Sequence, residues 1–177
     1  MTSATRLRLF YVALSLGLVV VDQITKYLID THMVLHESRG ILNGVLQLTY
    51  VQNRGAVFGL FNTAAIPHQA LLLSAIGLCA LTAVVIFSLR LPASRLLPQT
   101  ALALVLGGAI GNLIDRIRFG YVIDFIDAYW GTHHWPMFNA ADSAITVGVG
   151  LLILDMLREP RATSESAARA GSSGRTE

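Results

Sequence analysis

The sequence predicts a mainly α membrane protein: four transmembrane helices with a small extracytoplasmic β-sheet lying on the membrane surface. Three observations lead there. Apolar residues make up 54% of the 177 and charged residues 14%, with a mean hydropathy of +0.59, whereas soluble domains usually carry about a quarter charged residues. The apolar residues gather into four runs, at about 9–28, 68–89, 96–114 and 140–157, each close to the roughly 20 residues a helix needs to cross a hydrocarbon core. Between the first two runs, Asn43-Gly44 is a hairpin-turn dipeptide. After it Leu46, Leu48 and Tyr50 alternate with Gln47 and Thr49, as in a strand with one apolar face.

The first run follows Arg6 and Arg8, as in a signal peptide, but it closes through Asp22-Gln23-Ile24-Thr25-Lys26 with no small-x-small cleavage site, so a retained helix is expected. Asp22 and Lys26, acid first at i, i+4 spacing, read as a structural ion pair at the outer end of that helix, orienting the chain as it enters the sheet. The outer β-rich segment, about 29–67, ends in Asn53-Arg54-Gly55-Ala56-Val57-Phe58-Gly59, whose glycines mark turns or close backbone approach. Asn53 and Arg54 there either cap a turn or hold a substrate backbone or a headgroup phosphate. The second and third runs are joined by the short basic link Arg90-Leu91-Pro92-Ala93-Ser94-Arg95.

In the third run Ala103, Gly107 and Gly111 recur every four residues, a stripe that lets membrane helices approach closely. It ends with Asn112, Asp115 and Arg116 on one helix side: a polar end among headgroups, or part of a site. The outer loop expected over about 115–139 carries Tyr129, Trp130 and Trp135, suited to the interfacial aromatic belt, and a solvated His133-His134. Asn139 is a good N-cap for the fourth run, and Asp142 three residues later suits a helix N-terminus. From Glu159 the chain is rich in Ala, Ser, Gly and Arg and is expected to be disordered. The result is one four-helix domain over 1–158 and a cytoplasmic tail over 159–177.

Charge sets the expected orientation. Arg6, Arg8, Arg90, Arg95, Arg158, Arg161, Arg169 and Arg175 fall on one side of the four spans, and Lys26, Arg39, Arg54, Arg116 and Arg118 on the other. Both termini are therefore expected in the cytoplasm. A net charge of +2 is too small to argue for nucleic acid. One cysteine, Cys79, makes neither an intrachain disulfide nor a cysteine-based zinc site. His32 and His36 have the i, i+4 spacing of a metal pair but lack the glutamate of the zinc-protease motif, so neither metal nor cofactor is expected.

Two acids flank the outer ends of neighbouring spans: Asp124, between Ile123 and Phe125, and Asp142. An acid near lipid is costly and marks a functional site by default. Two carboxylates meeting in a poorly solvated place share a proton and become one base and one acid, the chemistry of aspartyl hydrolysis. Asp127, three residues beyond Asp124, is an equal candidate on spacing alone. A proton-coupled transporter is the rival class, although its sites usually lie near the bilayer midplane.

These positions resemble one family, the bacterial lipoprotein signal peptidases, or signal peptidase II. The motifs stand in order as Asp22-x-x-x-Lys26, Asn53-x-Gly55-Ala56-x-Phe58-Gly59, Gly107-Gly108-x-x-x-Asn112-x-x-Asp115-Arg116, Val122-x-Asp124-Phe125 and Phe138-Asn139-x-Ala141-Asp142. The resemblance implies an aspartic endopeptidase of the bacterial inner membrane with Asp124 and Asp142 as the catalytic dyad. It implies that Asn53, Asn112, Arg116 and Asn139 position the dyad or substrate, with Asp115 in support. It further implies diacylglyceryl-modified prolipoprotein substrates, cut just before the lipidated cysteine on the outer side of the membrane, contact with membrane lipid, and inhibition by globomycin-type compounds. A monomer is expected.

Overall fold

The computed structural model describes residues 1–55 and 69–158. Ala56, Phe58 and Gly59 of the motif that begins at Asn53 and the tail over 159–177 lie outside the described residues. The elements are α1 (Ser3–His32), β1 (Ser38–Leu42), β2 (Leu46–Asn53), α2 (Gln69–Arg90), α3 (Leu96–Phe119), β3 (Val122–Trp130), β4 (His133–His134) and α4 (Ala140–Arg158). All four helices are long and apolar enough to cross a membrane.

α3 is the central post, with α1, α2 and α4 packed around it. The small-residue stripe explains the closeness. A side-chain carbon at Gly107 would meet the backbone oxygen of Ser15 at 2.8 Å, and one at Gly108 would run into the backbone of Ala141. In a bilayer, where lipid removes the hydrophobic drive for helix association, such close backbone approach and buried hydrogen bonds supply the attraction. Ser15 Oγ adds one, donating across to the Ala103 carbonyl at 2.8 Å. The basic link forms a tight turn, held where Gln99 Nε2 donates to the carbonyls of Ser88 and Leu91. α2 contributes no buried side chain and leaves Leu71, Leu72, Ile76 and Phe87 exposed on its flanks.

α1 is longer than its apolar run suggested. Its 30 residues span about 45 Å, against a hydrocarbon core of about 30 Å. Its protruding end supports the sheet, since Ile29 and Met33 pack with Tyr50, Ile123 and Phe125. Lys26 is therefore not at the outer end of the helix, as the sequence suggested, because the helix continues to His32.

The sheet is antiparallel in the order β1-β2-β3-β4. The β1–β2 hairpin forms with Gly44 at φ +81°, as Asn43-Gly44 predicts. The expected outer loop over 115–139 is corrected. α3 continues to Phe119, Gly120 ends it in the left-handed region (φ 78°), and the residues that follow form β3. β3 escapes a search for alternation because Val122, Ile123, Asp124 and Phe125 are all buried, and a strand covered on both faces reads as a continuous apolar run. His133 and His134 are exposed but pair with Trp130 and Tyr129 as a short strand.

One irregularity positions the site. Gln47 pairs with Asp127 and Leu48 with Ile126, but Val51 then pairs with Asp124, so β2 sets Thr49 and Tyr50 against Phe125 alone. Such a bulge reverses which face each later side chain occupies. Gln47 and Thr49 reach Asp127 on one face, and Asn53 reaches Asp124 on the other.

Candidate active site

Asp124 is 2% exposed, and each of its oxygens accepts an amide N–H. Asn53 Nδ2 donates to Oδ2 at 2.9 Å, and Asn139 Nδ2 donates to Oδ1 at 2.7 Å. Burial first, and then the negative charge of Asp142, push the Asp124 carboxyl up to about 7, while the two amides and the charge of Lys26 pull against that rise.

Asp142 enters from the first turn of α4. Asn139 and Asp142 cap that helix reciprocally: Asp142 N donates to Asn139 Oδ1 at 2.9 Å, and Asn139 N donates to Asp142 Oδ2 at 3.3 Å. The helix-start reading of these residues thus holds, and the same residues also form part of a larger cluster. Asn112 Nδ2 donates to Asp142 Oδ1 at 2.8 Å. Asn139 is fully buried and serves both carboxylates, Asp124 through its side chain and Asp142 through its backbone and cap.

Behind the pair lies a charged layer. Lys26 Nζ sits 2.8 Å from Asp22 Oδ2, 2.8 Å from Asp115 Oδ2 and 2.8 Å from Asn112 Oδ1. Asp115 also accepts Ile123 N at 3.2 Å, tying α3 to the start of β3. Asp22 Oδ1 accepts Ala141 N at 3.0 Å, satisfying an amide in the first turn of α4. Gly111 borders the Asp22 carboxylate so closely that any side chain there would collide with it. The stripe therefore serves the polar cluster as well as helix packing.

Asp124 and Asp142 open on one cavity of about 290 Å³, walled by Leu73, Gly77 and Ala80 of α2 and by Val105, Ala109 and Ile145 of α3 and α4. Asn53, Asn112 and Arg116 share its lining. Arg116 donates to the Gly55 carbonyl at 3.2 Å, and Arg54 is exposed. Asp127 lies elsewhere, on the opposite face of β3, where Gln47, Thr49 and His134 Nδ1 bond its carboxylate. Burial there disfavours the charge, yet the bonds from Gln47, His134 and Thr49 outweigh it and hold the Asp127 carboxyl below its ordinary value.

Sequence reasoning missed Gln23, which donates to Asp115 Oδ1 at 2.9 Å. An amide inside an apolar span was the available signal. It also missed the α2 wall, whose residues carry no chemical mark.

Fold and cluster together define a multi-pass membrane protein with paired carboxylates beside a cavity between its helices. A family model described as signal peptidase (SPase) II matches residues 14–158. The lipoprotein signal peptidase of Geobacter sulfurreducens is 46% identical over 149 residues, covering 84% of this chain and 92% of that protein. The lipoprotein signal peptidase of Geobacter metallireducens is 43% identical over 158 residues, covering 89% and 96%. A bacterial membrane enzyme solved by the in meso method at 2.3 Å superposes with a TM-score of 0.78 at 33% identity, covering 88% of this chain and 92% of that one. A second, at 1.9 Å, gives a TM-score of 0.76 at 31% identity, covering 85% and 94%. The chain belongs to the signal peptidase II family and is a membrane-spanning peptidase.

Proposed function

We propose that the chain removes the signal peptide from diacylglyceryl-modified prolipoproteins, cutting just before the lipidated cysteine, with Asp124 and Asp142 as an aspartyl dyad. One observation carries this reading: both carboxylates open on a single cavity and both are bonded to Asn139. Like charges so held resist ionising together, which leaves one acid and one base.

The ionised carboxylate takes a proton from water, and the oxygen attacks the scissile carbonyl carbon while the protonated carboxyl donates to the carbonyl oxygen. In the collapse of that tetrahedral species the protonated carboxyl gives its proton to the departing nitrogen while the ionised one takes a proton from a hydroxyl of the gem-diol, which restores the shared proton. The C–N bond breaks, giving the carboxyl end of the signal peptide and the free amine of the lipidated cysteine. The titration belongs to the pair rather than to either residue. Asn53, Asn112 and Asn139 hold the carboxylates, and Arg116, at the cavity wall, engages the substrate backbone.

The apolar walls suit a signal helix and acyl chains, each buried methylene contributing about 0.8 kcal/mol. Binding remote from the reacting bond holds that bond in place. Charge bias supports a bacterial inner-membrane protein with cytoplasmic termini and the dyad on the outer side. We take 1–158 as one catalytic domain, active as a monomer, whose cavity accepts globomycin-type inhibitors.

The test is to incubate the purified chain with a diacylglyceryl-modified prolipoprotein and follow the mass of the product. Wild type releases a fragment beginning at the lipidated cysteine, and Asp142→Asn, while still folded, does not. Normal cleavage by Asp142→Asn removes that residue from the dyad.

A further inference from the structure

Lys26 is a charged side chain inside a long apolar helix and is 2% exposed. An ammonium so placed needs partners. Its three N–H groups meet Asp22 Oδ2, Asp115 Oδ2 and Asn112 Oδ1, each at 2.8 Å. The two carboxylates answer its charge. The amide contact has a separate consequence, because an amide presents an acceptor at one side and a donor at the other.

With Oδ1 of Asn112 facing Lys26, and also accepting from Asn139 Nδ2 at 3.2 Å, its Nδ2 is left facing Asp142 Oδ1 at 2.8 Å. Rotating the amide by half a turn would set N–H against ammonium and oxygen against carboxylate. Two charge-assisted bonds would become two repulsions. A second bond to the Asp142 carboxylate, from Asn139 N, is longer at 3.3 Å. α1 thus reaches the reacting pair through one amide, although Lys26 does not line the cavity.

We infer that Lys26 is a positioning residue for the hydrolysis, fixing the polarity of the Asn112 amide and through it the orientation of the Asp142 carboxylate. This role goes beyond an ion pair with Asp22, and it rests on the peptidase reading above.

The test leaves the net charge of the buried cluster unchanged, with Gln23 and Ile123 N still donating to Asp115. In Lys26→Met/Asp22→Asn a cation and an anion disappear together, and the new asparagine still offers Ala141 N an acceptor. The expected result is a thermal midpoint near that of wild type, KM within about threefold and kcat lower on the order of 100-fold, as for a misplaced reacting group. Lys26→Gln/Asp22→Asn restores a donor toward Asn112 and recovers most of kcat. In an Asn112→Ala background the Lys26→Met/Asp22→Asn change lowers kcat no further, since the link is already cut.

Wild-type kcat in the Met variant, equal loss in the Gln variant, or additive losses with Asn112→Ala would each overturn the inference. So would a Met variant that fails to fold, since Lys26 would then be a structural keystone. Failure of the wild-type chain to cleave lipidated prolipoprotein would instead remove the peptidase reading itself.

Discussion

Asp124 and Asp127 stand three residues apart on one strand, both shut from solvent at 2% and 1% exposure, yet they meet opposite chemistry. Asp127 is enclosed by Gln47, Thr49 and His134, and its carboxyl sits below its ordinary value. Asp124 receives two amide bonds but shares its cavity with Asp142, and its carboxyl rises to about 7. Burial alone does not decide the state of a carboxylate. A full set of hydrogen-bond donors makes an acid into a sheet fastener, whereas a second acid and an open cavity raise its affinity for a proton.

The largest expected difference is in turnover. Asp124→Asn should cost about 10³-fold or more in kcat, the range for removing a general acid or base, with the protein still folded. Asp127→Asn should keep activity within a few-fold while losing about 1–3 kcal/mol of stability, because the donors of the sheet lose their charged acceptor. Equal losses of activity from the two variants would dissolve the contrast, and prolipoprotein cleavage beside thermal unfolding in detergent measures both.

A smaller effect separates the two by pH. For Asp124 the folded value, about 7, lies above its ordinary 3.8, so its contribution to stability is full below about 4 and is lost as pH rises through 7. For Asp127 the folded value is depressed, so its contribution holds above the ordinary range and is lost as pH falls through the folded value. Asp124→Asn should therefore gain on wild type in thermal midpoint from pH 4 to pH 8. The deficit of Asp127→Asn should shrink as the solution is acidified. Activity should fall on the alkaline side near pH 7 as the pair loses its shared proton.

The smallest change is His134→Ala. Its contact with Asp127, at 2.8 Å with the imidazole half exposed, is worth about 0.2–1 kcal/mol. The midpoint should drop slightly and kcat should not move.

Much of the fold could be read from the chain. Four apolar runs and an Asn-Gly turn yield four helices and a hairpin at nearly the expected places. β3 could not be read that way, because both its faces are covered and helix-like hydrophobicity hides its period. In the site, spacing nominated Asp124 and Asp127 equally; the family resemblance favoured Asp124, and opposite faces of β3 give the two different neighbours. Asp22 and Lys26 were visible as a local pair. Their reach to Asp115, Asn112 and the amide of Ala141 depends on α1 and α4 both crossing α3 at glycines, a long-range fact no local spacing encodes.

The extra residue in β2 makes the aim of Asn53 depend on how many residues the strand holds as well as on which they are. Insertions at the Asn43-Gly44 tip would be absorbed upstream of the bulge, leaving Asn53 aimed as before. Excising one position between Leu48 and Val51 would delete no group that bonds Asp124, yet it would swing Asn53 to the far side and take one of the two amide bonds from that carboxylate.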